Sequence, residues 1–127
     1  EGYTHFISGG ALGMDMYAGE AVLTLREQYP EITLEIAIPH DGQTAKWPQS
    51  LRDRAERIRE EADVITWIAH EYTKRCLFDR NYYMVSHCSV LLACFDGQHG
   101  GTAQTIETAH RLGRLITVVR SVRRKVA

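Results

Sequence analysis

The chain has 127 residues, a formal net charge of −1, 44% hydrophobic and 24% charged residues, the profile of one ordinary globular domain with no room for a second. Nothing in this near-neutral balance demands nucleic acid or a membrane surface as a partner, and no apolar run is long enough to span a bilayer. Cys76, Cys88 and Cys94 are odd in number and lack paired zinc spacing, so they read as reduced thiols; with no signal-peptide pattern, the expected location is the cytoplasm.

Residues 4–8 are β-branched or aromatic and stop at Gly9-Gly10, as a buried strand entering a tight turn does. From Met14 the period becomes helical, with Met14, Ala18, Ala21, Val22, Leu25 and Tyr29 predicted on the buried face and Pro30 ending the helix. Residues 32–39 are the second strand, followed by a loop at 40–48 with Gly42, Trp47 and Pro48. Residues 49–62 form a helix with Leu51, Ala55, Ile58 and Ala62 as its apolar stripe. A third strand at 63–69 and a polar connector at 71–75 lead to residues 78–87, where Phe78, Tyr82 and Val85 recur at helical spacing. Residues 90–95 are almost wholly apolar, which predicts a central strand covered on both faces. Residues 102–112 are a helix with Ile106, Ala109 and Leu112 inward and Gly113 as its stop. Residues 115–119 are the last strand. This alternation predicts an α/β fold, a Rossmann-like doubly wound parallel sheet of about five strands over residues 1–119. Arg120, Arg123, Arg124 and Lys125 belong to a basic C-terminal tail, 120–127.

Two glycine clusters each follow a strand and precede a helix: Ser8-Gly9-Gly10-Ala11-Leu12-Gly13, and Asp96-Gly97-Gln98-His99-Gly100-Gly101-Thr102. In such sheets ligands bind beyond the carboxyl ends of the strands. Glycine lets a ligand approach the main chain, and the first helical amides lack internal partners and carry partial positive charge. A phosphate is the natural occupant. One glycine turn is weak evidence; two in this position predict one shared pocket for a phosphate-bearing nucleotide-type ligand. Asp15 reads equally as a helix-dipole acid or as a contact to a ribose hydroxyl. Asp96 is either a turn former or a ligand contact. Arg80, followed by Asn81, is either solvated or a forked donor aimed into the cleft.

In order along the chain, Ser8-Gly9-Gly10-Ala11-Leu12-Gly13-Met14-Asp15, then Asp79-Arg80-Asn81 with Met84-Val85, then Phe95-Asp96-Gly97 leading to Gly100-Gly101-Thr102-Ala103 resemble the YpsA-like family. That family belongs to the SLOG superfamily, shared by the DNA-processing protein DprA and the LOG phosphoribohydrolases. The resemblance implies a Rossmann-like fold and a nucleotide-derivative site between the two glycine loops. It also implies one further strand and helix with a Thr-Gly-His-Arg-Pro-like segment at the start. That segment is absent from this sequence, so the chain is expected to be a fragment or a trimmed piece, with one wall of the pocket lost unless a partner chain supplies it. LOG enzymes carry a Pro-Gly-Gly-x-Gly-Thr-x-x-Glu motif whose glutamate assists N-glycosidic cleavage; Thr105 stands in its place here. A threonine cannot act as that carboxylate, and Glu107 lies half a turn away.

The six histidines, His5, His40, His70, His87, His99 and His110, lack the spacing of a metal site. Cys94, in a predicted buried strand, is expected to be inert. Trp47 reads equally as a base-stacking ring or as packing over the next helix. The basic tail is more often solvated than bound to nucleic acid. The resulting expectation is a bacterial-type domain, uncertain as an enzyme but leaning to none, that binds a nucleotide or nucleotide derivative as a sensor or regulatory module and forms a homodimer. Its expected ligand-facing residues are Ser8, Gly9, Gly10, Gly13, Asp15, Arg80, Asn81, Asp96, Gly97, Gly100, Gly101 and Thr102, with no catalytic residue, metal or further cofactor assigned. The alternatives are a phosphoribohydrolase acting on nucleoside monophosphates and a DprA-like DNA-binding module.

Overall fold

Strands and helices alternate along the residues that the computed structural model describes, 2–94 and 100–119. In chain order they are β1 (His5–Ser8), α1 (Met14–Gln28), β2 (Thr33–Ile38), α2 (Gln49–Glu61), β3 (Val64–Trp67), α3 (Cys76–Ser86), β4 (Val90–Cys94), α4 (Gly101–Arg111) and β5 (Leu115–Val119). All strand pairs are parallel, in a three-stranded sheet ordered β1-β2-β3 and a two-stranded sheet β4-β5. The fold is α/β and Rossmann-like, as the alternation predicts. The chain divides into two units, Glu1–Met84 and Val85–Ala127; the predicted basic tail lies outside the described residues.

In the first unit, β2 is the middle strand and carries the core. Leu34, Ile36 and Ile38 point to one face and meet Met16 and Val22 of α1 and Ala55 and Ile58 of α2. Each such buried aliphatic side chain contributes about 1.5–3 kcal/mol. The stripe predicted on α2 is the one buried. The face predicted on α1 is not. Met16, Gly19 and Val22 are buried, while Met14, Leu25 and Tyr29 are exposed. Gly19 is the reason: a Cβ there would lie 3.3 Å from Ile58 Cγ2, so α1 turns its glycine toward α2 to let the helices close. Hydrophobic periodicity has no means of placing a glycine on a buried stripe.

On α3, Val85 of the predicted spacing is fully buried. Phe78 and Tyr82 stack on each other at 6.4 Å between ring centroids and are exposed, whereas Arg80 is buried.

The opposite face of β2 is polar at its middle. Glu35 is buried and its carboxylate accepts hydrogen bonds from Thr66 Oγ1 of β3 at 2.6 Å and from the Tyr83 hydroxyl of α3. His5 Nε2 of β1 lies 2.8 Å from Glu35 Oε1, and its Nδ1 lies 2.7 Å from Thr33 Oγ1. Burial alone would raise the Glu35 carboxyl, but the bonds from Thr66, Tyr83 and His5 outweigh it and hold the group below the usual range.

In the second unit, α4 packs on β4 and β5. Arg114, just ahead of β5, donates to the carbonyls of Val85 (3.1 Å) and Ser86 (3.0 Å). The expectation that β4 is covered on both faces fails: only Ala93 is buried, and Leu92 is 64% exposed. Within its sheet β4 pairs with β5 alone, and a single helix of the unit covers the pair.

Because the folded Glu35 pKa is depressed, its contribution is complete above about pH 4.3 and is lost as pH falls through the folded value. Glu35→Gln is expected to lower stability at pH 7 by roughly 2 kcal/mol and to flatten the acid limb of the stability curve. Urea midpoints measured from pH 7 to pH 3 check this; an unchanged midpoint at pH 7 would refute the role given to Glu35.

Candidate functional site

β1 delivers the chain into the first glycine turn, at the carboxyl edge of the three-stranded sheet. Ser8 is buried; its hydroxyl donates to the Asp15 carbonyl at 3.0 Å and accepts the Gly10 N–H at 3.3 Å. Gly10 has φ +67°, and a Cβ there would meet Ile36 Cγ2 at 3.1 Å, so both conformation and space select glycine. Gly13, at φ +85°, caps α1 and accepts the Met16 and Tyr17 N–H groups, both at 3.1 Å. The Ala11 N–H donates to Asp15 Oδ2 at 3.1 Å. The acid in the first turn of α1 thus folds back onto the turn that precedes it.

Arg80 comes to the same turn from α3. It is 7% exposed, its Nη1 donates to the Gly9 carbonyl at 2.7 Å, and its Nε donates to Asn81 Oδ1 at 2.8 Å. Gln43, in the loop after β2, donates its side-chain amide to the same Gly9 carbonyl at 3.1 Å. A Cβ at Gly9 would lie 2.6 Å from Arg80 Nη1, 2.8 Å from Arg80 Cζ and 3.0 Å from Asp15 Oδ2. Glycine is therefore what lets a guanidinium and a carboxyl reach the same point of backbone. Burial lowers the Arg80 pKa, offset in part by Asp15 and Cys76. Burial raises the Asp15 pKa, offset in part by the Ala11 N–H and Arg80. The result is a desolvated cation and a reluctant carboxylate around a helix N-terminus, an arrangement that can hold an anion and a hydroxyl side by side.

Of the expected site residues, Ser8, Gly9, Gly10, Gly13, Asp15, Arg80 and Asn81 are brought together here. Asp96, Gly97 and His99 lie outside the described residues. In the second unit, Gly100 caps α4 and its carbonyl accepts the Gln104 N–H at 3.1 Å. Gly101 and Thr102 are exposed, and a Cβ at Gly100 or Gly101 would meet nothing within 4 Å. Thr105 turns its hydroxyl back onto the Gly101 carbonyl at 2.8 Å.

Sequence reasoning missed three residues near the first turn: Gln43, Arg59 and Trp67. Arg59 Nη2 donates to Gln43 Oε1 at 3.1 Å, and its guanidinium carbon lies 5.9 Å from the Trp67 ring centroid. Trp67, at the carboxyl end of β3, is half-exposed, while Trp47 packs against the core. Long polar side chains in a charged helix or a loop give no signal of where they reach. Among the described residues there is no group of three or more His, Cys, Asp or Glu placed to hold a metal ion, and no helix is long and apolar enough to cross a membrane. An open cleft of about 360 Å³ lies along α1 and α2, lined by Glu20, Glu27 and Glu61 against the single cation Arg26, a balance that disfavours an anionic ligand.

Comparison with known proteins places this geometry in context. The family model YpsA, described as the YspA SLOG family, matches residues 1–112. A UPF0398 protein of Staphylococcus haemolyticus is 29% identical over 80% of this chain and 56% of its own length. A UPF0398 protein of Bacillus velezensis is 28% identical over 80% of the chain and 57% of its own. The SPbeta prophage-derived protein YoqJ of Bacillus subtilis is 30% identical over 87% of the chain and 75% of its own. The chain thus spans little more than half the length of the UPF0398 relatives.

The crowding at Gly9 makes two expectations. Gly9→Ala should cost about 1–3 kcal/mol, and much less in an Arg80→Ala background, because the methyl group then fills the space the guanidinium leaves; a double-mutant cycle by urea unfolding reads the coupling, and additive costs would count against the contact. Asp15→Asn keeps an acceptor for the Ala11 N–H and removes a carboxyl whose folded pKa is raised. The wild-type carboxyl loses favour as pH rises through its folded value, so the variant's stability relative to wild type should increase from pH 3 to pH 7.

Proposed function

The chain belongs to the YspA SLOG family, and from that premise we propose that it binds a nucleotide or nucleotide derivative at the turn between β1 and α1, as a sensor or regulatory domain. The observation that carries the reading is the convergence of buried Arg80 and half-buried Asp15 on Gly9. In this reading the ligand's phosphate meets the amides at the start of α1 under the field of Arg80, and Asp15 takes a sugar hydroxyl. Ser8 and Asn81 hold those two groups in place, through the Asp15 carbonyl and Arg80 Nε respectively. The second glycine turn, with Gly100, Gly101 and Thr102, enters the proposal as a further source of donors to the same class of ligand. Self-association into a homodimer belongs to the proposal too, with light scattering as its check.

Binding is preferred to N-glycosidic hydrolysis because Thr105 offers a hydroxyl, already donated to Gly101, where a carboxylate would be needed.

A thermal-shift series with AMP, NAD and adenosine tests the proposal. A phosphate-bearing member at about 100 times its Kd should stabilise the chain by about 2.7 kcal/mol, while adenosine, lacking phosphate, should give little or no shift. Equal shifts with adenosine and AMP, or none with any member, would remove the phosphate assignment. Free base released from AMP would restore the hydrolase reading.

A further inference from the structure

Among the described residues, several arginines are held by an ion pair or by two neutral acceptors, whereas half-buried Arg59 has one neutral acceptor. Arg26 pairs with Asp63 at 2.9 Å, Arg54 pairs with Glu20, and Arg114 donates to two carbonyls. Arg80 donates to the Gly9 carbonyl and Asn81. Arg59, half-buried in the last turn of α2, forms no ion pair among the described residues; its hydrogen-bond partner is the neutral side-chain oxygen of Gln43. Burial lowers its pKa, and the opposing field is that of Glu56 on its own helix. A cation held this way keeps donors to spare and lacks a counter-anion.

Its place gives that deficit a use. Gln43 accepts from Arg59 on one side and donates to the Gly9 carbonyl on the other, so one amide group separates Arg59 from the proposed phosphate turn. Arg59, Ser8, Gly10 and Asp15 also border a largely apolar gap of about 10 Å³ closed by Met16, Ile36, Ala55 and Ile58. Outward of it stands the half-exposed Trp67 ring, 5.9 Å from the guanidinium carbon.

We propose that Arg59 is the anion receptor of a second subsite, next to the first glycine turn, and that the ligand is therefore a nucleoside diphosphate rather than a monophosphate. The proposal rests on the nucleotide reading above: one phosphate takes the turn and the other supplies the counter-anion that Arg59 lacks. Trp67 reports occupancy, since an anion drawing the guanidinium away from the ring changes the surroundings of the indole.

Calorimetric titration of the chain with AMP, ADP and inorganic pyrophosphate, on wild type, Arg59→Gln and Arg59→Lys, tests this. ADP should bind wild type about tenfold more tightly than AMP, the step expected of one charge-assisted contact. Arg59→Gln should weaken ADP about tenfold more than it weakens AMP, and Arg59→Lys should restore part of that difference. Pyrophosphate should bind more weakly than ADP. In a Trp47→Phe background, ADP should change the Trp67 emission and AMP should not. Equal affinities for AMP and ADP in wild type, equal losses of both in Arg59→Gln, or pyrophosphate as tight as ADP would overturn the second subsite and leave the nucleotide reading standing. No binding by AMP or ADP would overturn both. Because the wild-type comparison stands alone, a poorly folding variant does not shield the proposal.

Discussion

A guanidinium can be taken out of water only where fixed acceptors replace its hydration, and that requirement organises the first unit. Arg80 meets it with the Gly9 carbonyl at 2.7 Å and the Asn81 side chain at 2.8 Å. The bond to Gly9 is long-range: it ties α3 to the end of β1 across 71 residues of sequence. It exists because position 9 has no side chain, position 10 turns with positive φ, and Ser8 and Asp15 lock the start of α1 onto the same turn. Remove the glycine and the guanidinium loses its seat; remove the guanidinium and α3 loses a polar anchor.

The two faces of β2 show how one strand serves two ends. Its aliphatic face, with Leu34, Ile36 and Ile38, closes on α1 and α2 and fixes where the glycine turn sits. Its other face holds Glu35 under Thr66, Tyr83 and His5, so β1, β3 and α3 all contribute a donor or a ring nitrogen to one carboxylate. Apolar contact on one side and a satisfied charge on the other hold the sheet to both layers. Arg80 and Tyr83 lie one turn apart on α3, so the Glu35 cluster and the Gly9 contact restrain the same helix.

Much of this was legible in the residues. Alternating strand and helix signals set the fold class and nearly every element, since short β-branched runs ending in glycine and charged helices with an apolar stripe leave few other arrangements. The turn at Ser8, Gly9 and Gly10 and its partners Asp15, Arg80 and Asn81 were legible because glycine, an acid in a first helical turn and an arginine-asparagine pair each carry local chemistry. What escaped was long-range. Gly19 reads as a flaw in a helix until Ile58 is set against it. Phe78 and Tyr82 share a helical spacing with buried Val85 and yet lie exposed. Glu35 interrupts an apolar strand with no hint of the three groups that satisfy it, and Arg59 is one more arginine on a charged helix. Hydrophobic spacing reports which face is oily; it does not report which polar groups meet across the fold.

The Gly9 carbonyl, finally, has a consequence for selectivity. It accepts from both Arg80 and Gln43, and a carbonyl oxygen has two lone pairs. Both are spent within the protein. That oxygen therefore has nothing left for a visiting ammonium or hydroxyl proton, and in the proposed reading a sugar hydroxyl turns to Asp15 instead.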